Sequence, residues 1–162
     1  LQEAGLINKI NRIEKPDIPL AAYEDRKSFK LYFSDTGLLR RLAGVEAQTI
    51  LLNHDIFNEF RGRIAENFVL QELTAHGKRN IHYWTSGNTA EVDFIMQHGS
   101  SVIPVEVKSG TNVRARSLKI YREKYAPPFA LRFSMQNLKL DDGLYNIPLY
   151  LLPYYENWIP KG

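Results

Sequence analysis

The segment AEVDFIMQHGSSVIPVEVKSG, residues 90 to 110, constrains the fold of this chain more than any other. Val92, Phe94, Val105 and Val107 alternate with Glu91, Asp93, Glu106 and Lys108, the period of strands with one apolar face. Two such runs joined by a short polar turn predict a β-hairpin. A turn centred between Gly99 and Ser100 sets His98 opposite Ser101, which brings Asp93 opposite Glu106 and Glu91 opposite Lys108. All four charged side chains then share one face, and a slip of a single residue would separate the pairs.

Carboxylates facing each other on a sheet repel, and partial burial adds a desolvation penalty to the ionised forms. A shared proton or a bound divalent cation resolves that conflict. Mg²⁺ or Mn²⁺ suits such a site, being a hard ion that takes carboxylate oxygens and keeps several waters. The competing reading is a set of edge-strand charges facing water. Glu91 opposite Lys108 reads as a simple ion pair that holds the ammonium in place.

A long helix precedes the hairpin. From about Asp55 to His76, Phe57, Phe60, Ile64 and Phe68 recur at helical spacing, and Gly77 supplies the stop. A second stripe, Gly62, Ala65, Val69 and Leu73, lies nearly opposite, so the helix is expected between two layers. Glu66 falls on that second stripe, where a carboxylate is out of place.

The remaining elements follow from turn and cap signals. GLINKINRIE and SFKLYFSD read as strands around a proline-bearing loop, and Asp35 caps a short helix, TGLLRRLAG, ended by Gly44. IHYW is a further strand, and ARSLKIYREKY is a helix with Leu118, Tyr121 and Tyr125 on one side, broken by Pro127 and Pro128. FALRFS is a strand, and GLYNIPLYLLPYY a last strand with an aromatic tail. The central order is helix, three strands, helix, strand, which predicts an α/β fold with a mixed sheet flanked by helices.

Composition narrows the function classes. With 162 residues and 44% hydrophobic content the chain can bury a real core, and a net charge of +3 permits a polyanionic partner without demanding one. No cysteine is present, which excludes disulfides and thiolate metal sites and fits a reducing cytoplasm. His54, His76, His82 and His98 lack ligand spacing, so zinc is not expected. No apolar run reaches the roughly 18 residues of a membrane span. The chain starts on Leu within an apparent helix end, and it reads as a fragment of something longer.

A helix bearing GRIAENFVLQEL, a strand with EVDF and a strand with EVKSG resemble the PD-(D/E)xK nuclease superfamily and its restriction-endonuclease-like core. More narrowly, KLYFSDTGLLRRLAG, AENFVLQEL, YWTSGNTAEVDFIM and IPVEVKSG are similar to an uncharacterised family that forms the C-terminal domain of many prokaryotic AAA-type ATPases. The resemblance implies a nuclease-like domain over residues 24–162, with residues 1–23 as the tail of a preceding winged helix. It implies Asp93 and Glu106 as ligands of Mg²⁺ or Mn²⁺ and Glu66 as the helix-borne carboxylate completing the shell. Lys108 would orient or deprotonate water or stabilise developing charge. Of these roles for Lys108, the electrostatic one is favoured, because neighbouring carboxylates oppose the lowered pKa that a general base would need. Val92 stands where the superfamily's name has proline. No GxxxxGK[ST] phosphate loop occurs, so ATP would bind only in a further part of the parent protein.

The DNA-facing candidates are Arg114, Arg116, Lys119 and Arg122, at and along the helix that follows the hairpin; the competing reading is a solvated helix face. Tyr83 and Trp84 read as core or site-wall aromatics. Two functions compete: a metal-dependent deoxyribonuclease acting with an ATPase domain in cis, and a catalytically silent module of the same fold that binds nucleic acid or a protein for the ATPase. A structural or oligomerising cap, suggested by Tyr150, Tyr154, Tyr155 and Trp158, is the third.

Overall fold

An eight-stranded mixed sheet in the order β2-β1-β3-β4-β5-β6-β8-β7 organises the chain in a computed structural model that describes residues 1–45, 58–87, 89–110 and 116–161. The strands are β1 (Ile7–Ile13), β2 (Glu24–Phe33), β3 (His82–Ser86), β4 (Ala90–His98), β5 (Ser101–Lys108), β6 (Ala130–Ser134), β7 (Lys139–Asp141) and β8 (Leu144–Pro148). The helices are α1 (Thr36–Leu42), α2 (Asn58–Ala75) and α3 (Arg116–Tyr125), with 3-10 segments at Leu20–Tyr23 and Leu149–Asn157. The order α2-β3-β4-β5-α3-β6 is the helix, three strands, helix, strand arrangement expected from the sequence. β5 and β6 run parallel with α3 as their crossover, as a parallel pair requires.

Alternation along the strands builds two cores. Ile10, Tyr83 and Phe94 join one with Val69, Leu70 and Leu73 of α2. Ile13, Trp84 and Ile95 join the other with Tyr121 of α3. Each such buried side chain contributes about 1.5–3 kcal/mol relative to exposure. The helix α2 rests on the sheet through its second stripe, with Ala65, Val69 and Leu73 buried, while Phe60, Ile64 and Phe68 are only half covered. Phe57 lies outside the described residues. Asp35 caps α1 as expected, its Oδ1 accepting from the Leu38 N–H at 2.7 Å.

Two observations concern the ends of the chain. The boundary expected at residues 23 and 24 falls between β1 and β2, which are hydrogen-bonded to each other, and β1 also pairs with β3. The last expected strand divides into β8 and a 3-10 segment, and β7 precedes it through an Asp142-Gly143 turn with positive φ at both residues (48° and 68°). An Asp-Gly pair between strands is the usual signal for such a hairpin.

Candidate functional site

β4 and β5 pair as the turn dictates: His98 with Ser101, Gln97 with Val102, Met96 with Ile103, Ile95 with Pro104, Phe94 with Val105. The ladder ends there. Beyond it β4 continues with β3 (Val92 with Trp84, Glu91 with Thr85), and β5 continues with β6 (Glu106 with Arg132, Lys108 with Ser134). The β3–β4 register shifts between His82 and Trp84, so Asp93 and Phe94 together oppose Tyr83. A bulge of this kind re-aims a side chain. Here it sends the Asp93 carboxylate into the fork, where Oδ2 accepts the Val107 N–H at 2.7 Å.

The electrostatics concentrate at that fork. Burial pushes the Asp93 carboxyl well above the usual carboxylate range, the charges of Glu106 and Glu66 push it further, and the Val107 N–H opposes them. Glu106 is buried at 3% exposure; its Oε1 meets Lys108 Nζ at 2.5 Å, and its Oε2 is buried without a partner among the described residues. Burial pulls on the Lys108 ammonium, but Glu106 and Asp93 outweigh it and its pKa stands above the ordinary lysine value. Arg132, facing Glu106 from β6, also has a buried Nε with no hydrogen-bond partner among the described residues.

Glu66 approaches from α2. Tyr32 on β2 donates its hydroxyl to Glu66 Oε2 at 3.2 Å, and burial raises the Glu66 carboxyl while the Lys30 charge opposes the rise. Gly62, one turn earlier, faces the end of β5, where a Cβ would stand in ordinary contact, 3.8 Å, with Ser109 Oγ. A cleft of about 810 Å³ opens on this side, lined by Lys30, Tyr32, Glu59, Arg63, Glu66 and Glu91. The expected Glu91–Lys108 pair does not form. Glu91 instead pairs with Lys30, which crosses the Tyr83 ring 5.0 Å from its centroid, and Lys108 takes Glu106. Past the fork the two strands have different neighbours, so the cross-strand count no longer applies.

Asp93 and Glu106 are therefore neighbours, with Glu66 near Asp93 but turned toward Tyr32. Among the described residues no three His, Cys, Asp or Glu side chains stand close enough together to hold a metal ion, so the expected trio of Glu66, Asp93 and Glu106 is not a closed ligand set. The partnerless Glu106 Oε2 beside the raised Asp93 carboxyl fits a dication held by that pair, with water filling the other positions.

Of the basic candidates, Arg114 lies outside the described residues. Arg116 is exposed at the start of α3, next to Ser117, whose Oγ accepts the Glu91 N–H at 3.2 Å. Lys119 lies 3.8 Å from Glu123, and Arg122 meets the backbone carbonyl and carboxylate of Asp142. Trp84 is 1% exposed with Tyr121 and Tyr125 edge-on to it, which makes it core. His82 Nε2 sits 2.8 Å from Glu24, while His76 and His98 bond backbone carbonyls; His54 lies outside the described residues. Lys30, Tyr32 and Arg132 were not among the sequence candidates. Arg132 carried the same signal as Asp93, a lone charge in an apolar strand; Lys30 and Tyr32 alternate on one face of β2.

These features define a mixed α/β domain with an acidic pair, a lysine and an arginine at a strand fork. The chain belongs to the family described as a domain of unknown function, DUF4143, which matches residues 61–152 and so includes Glu66, Asp93, Glu106, Lys108 and Arg132. Residues 1–49, which bear Lys30 and Tyr32, match a second domain of unknown function, DUF8612. Uncharacterised proteins of Mycobacterium bovis and Mycobacterium tuberculosis are each 33% identical over 96 residues, covering 58% of this chain and 21% of the relative. The chain thus matches about a fifth of the length of these relatives. No solved structure matches the chain. No helix among the described residues is long and apolar enough to cross a membrane.

Proposed function

We propose that this domain is a nuclease module of the PD-(D/E)xK kind, hydrolysing DNA phosphodiesters with Mg²⁺ or Mn²⁺ and working with an AAA-type ATPase in cis in the cytoplasm. One observation carries the reading: a buried carboxylate oxygen of Glu106 without a partner, beside an Asp93 carboxyl that its surroundings hold toward protonation. Asp93 and Glu106 are the residues that would hold the ion. A dication there acidifies water and draws charge from a phosphoryl oxygen.

The protein's own groups divide the remaining work. Lys108 stays protonated, so it stabilises negative charge on the phosphoryl oxygens and is not the base. Glu66, raised by burial and standing outside the close pair, accepts the proton of the attacking water, with Tyr32 orienting its carboxylate. The water oxygen bonds to phosphorus, the bond to the leaving ester oxygen breaks, and that oxygen takes a proton from solvent. Arg116 and Lys119 on α3 supply sequence-independent phosphate contacts.

Metal titration followed by thermal melting tests the site. Mn²⁺ or Mg²⁺ at 100 times its dissociation constant stabilises the wild type by about 2.7 kcal/mol, and Asp93→Asn removes the gain. No shift at millimolar metal rejects the ligand assignment. Cleavage of single-stranded, duplex and branched DNA is expected to be lost in Lys108→Ala; equal cleavage by both proteins would mean that the activity lies elsewhere.

A second reading, a silent module that binds nucleic acid or protein for the ATPase, is favoured by the absence of a closed three-carboxylate set among the described residues. DNA binding without cleavage under any metal would select it.

A further inference from the structure

Beside the fork lies a second cleft, about 870 Å³, lined by Arg122, Arg132, Met135, Asn137, Leu138 and Asn146 among others. We infer that this cleft seats a phosphate of the nucleic-acid strand adjacent to the scissile one, with Arg132 as its contact. The inference rests on the nucleic-acid reading above and extends it to the path of the substrate.

Placement is the first argument. Arg132 is in register with Glu106, and Ser134 with Lys108, so β6 lies one strand spacing, about 4.8 Å, from the strand that carries Glu106 and Lys108. A strand whose reacting phosphate sits at Glu106 and Lys108 brings a neighbouring phosphate within reach of a long guanidinium on β6.

Charge is the second. Within the cleft Lys139 is paired with Asp141 at 2.9 Å, and Arg122 with Asp142. Arg132 forms no ion pair within 4.0 Å among the described residues, and its Nε is buried without an acceptor. A half-buried guanidinium with unused donors is costly to the free protein and well matched to a bidentate phosphate.

The cleft is also built in advance. Ser134 Oγ donates to Asn146 Oδ1 at 2.9 Å, Asn146 Nδ2 donates to the Asn137 carbonyl at 2.9 Å, and the Gln136 N–H donates to Ser134 Oγ at 3.1 Å. These bonds fix the loop over residues 135–138 as a wall. Met135 and Leu138, 69% and 40% exposed, give that wall an apolar lip against which a sugar or base can rest.

The test uses the full chain in chelator, so that binding is read without cleavage, with labelled oligonucleotides in single-stranded and duplex form. Arg132→Met is expected to weaken binding roughly 3- to 10-fold at low salt and to make the salt slope shallower by about 0.7–0.9, the value of one phosphate contact. Arg132→Lys retains most of the affinity. Met135→Glu, which alters an exposed loop position, weakens binding at least as much. Wild-type affinity and slope in Arg132→Met, or wild-type affinity in Met135→Glu, would overturn the inference while leaving a nucleic-acid-binding domain standing. Wild type that binds neither oligonucleotide would overturn both. Binding that depends on Arg132 in a protein that cleaves nothing would uphold the phosphate site and reject the nuclease.

Discussion

Asp93 is held against burial and the nearby charges of Glu106 and Glu66, with the Val107 N–H and the Lys30 charge in partial compensation. A residue in that position costs stability unless something binds it. Asp93→Asn keeps an acceptor for the Val107 N–H and removes the charge. In chelator at neutral pH, the variant is therefore expected to have a higher urea midpoint than the wild type; a lower one would mean that Asp93 is a structural carboxylate. Glu24 behaves in the opposite sense. Its bond to His82 holds its carboxyl below the ordinary value near 4.5, burial opposes, and Asn11 adds a second bond. A depressed folded pKa means that the folded state releases its proton first. The contribution is then complete above the unfolded pKa and is lost as pH falls through the folded one. Glu24→Gln should cost about 1 kcal/mol near pH 7, and the difference should vanish in acid. Equal denaturation midpoints for the two proteins across the whole range would remove Glu24 from the account.

At the scale of elements, α2 both presents a site residue and fastens β2. Asn67, 1% exposed and next to Glu66, accepts the Phe33 N–H at 2.8 Å and donates to the Phe33 carbonyl at 3.0 Å, while Gln71 receives bonds from the Thr36 backbone and hydroxyl. Those bonds set the end of β2, and with it Tyr32 against Glu66. Asn67→Leu would leave two backbone groups without partners at a cost of about 2–3 kcal/mol. It is also expected to slow the proposed cleavage more than that loss of folded population explains. Activity restored in full at low temperature would show that the clamp only stabilises the fold. Here the reach of sequence reasoning is clear. The hairpin register was legible because a Gly-Ser turn and strict alternation fix it locally. The bulge at Asp93 was not, because it exists only in relation to β3, a strand whose partner the alternation does not name. Lys30 and Glu91 are 61 residues apart, and only the folded sheet joins them.

Across the whole molecule, the residues proposed to react lie on or beside the inner strands of the sheet, and its edges are exposed. β4 contributes to both cores, and Phe94, Ile103, Val105, Leu131 and Phe133 of β4, β5 and β6 are fully buried. β7 is three exposed residues at one edge, and β2 at the other edge exposes Phe29 and Leu31. The helix-strand-strand-strand-helix-strand order could be read from periodicity because each of those elements has a buried face. β7, whose three residues are all exposed, has none, and the Asp-Gly pair that follows it is its one sequence signal. Hydrogen exchange should follow the same division: amides of Ile103, Val105 and Leu131 opening only with global unfolding, and those of β7 exchanging through local opening. The loop over residues 135–138 provides the sharper test, because Asn146 ties it to β8 and not to β7. It should stay protected while β7 exchanges, and Asn146→Ala should release it without altering β5. Exchange of the loop together with β7 in the wild type would mean that the second cleft has no fixed wall.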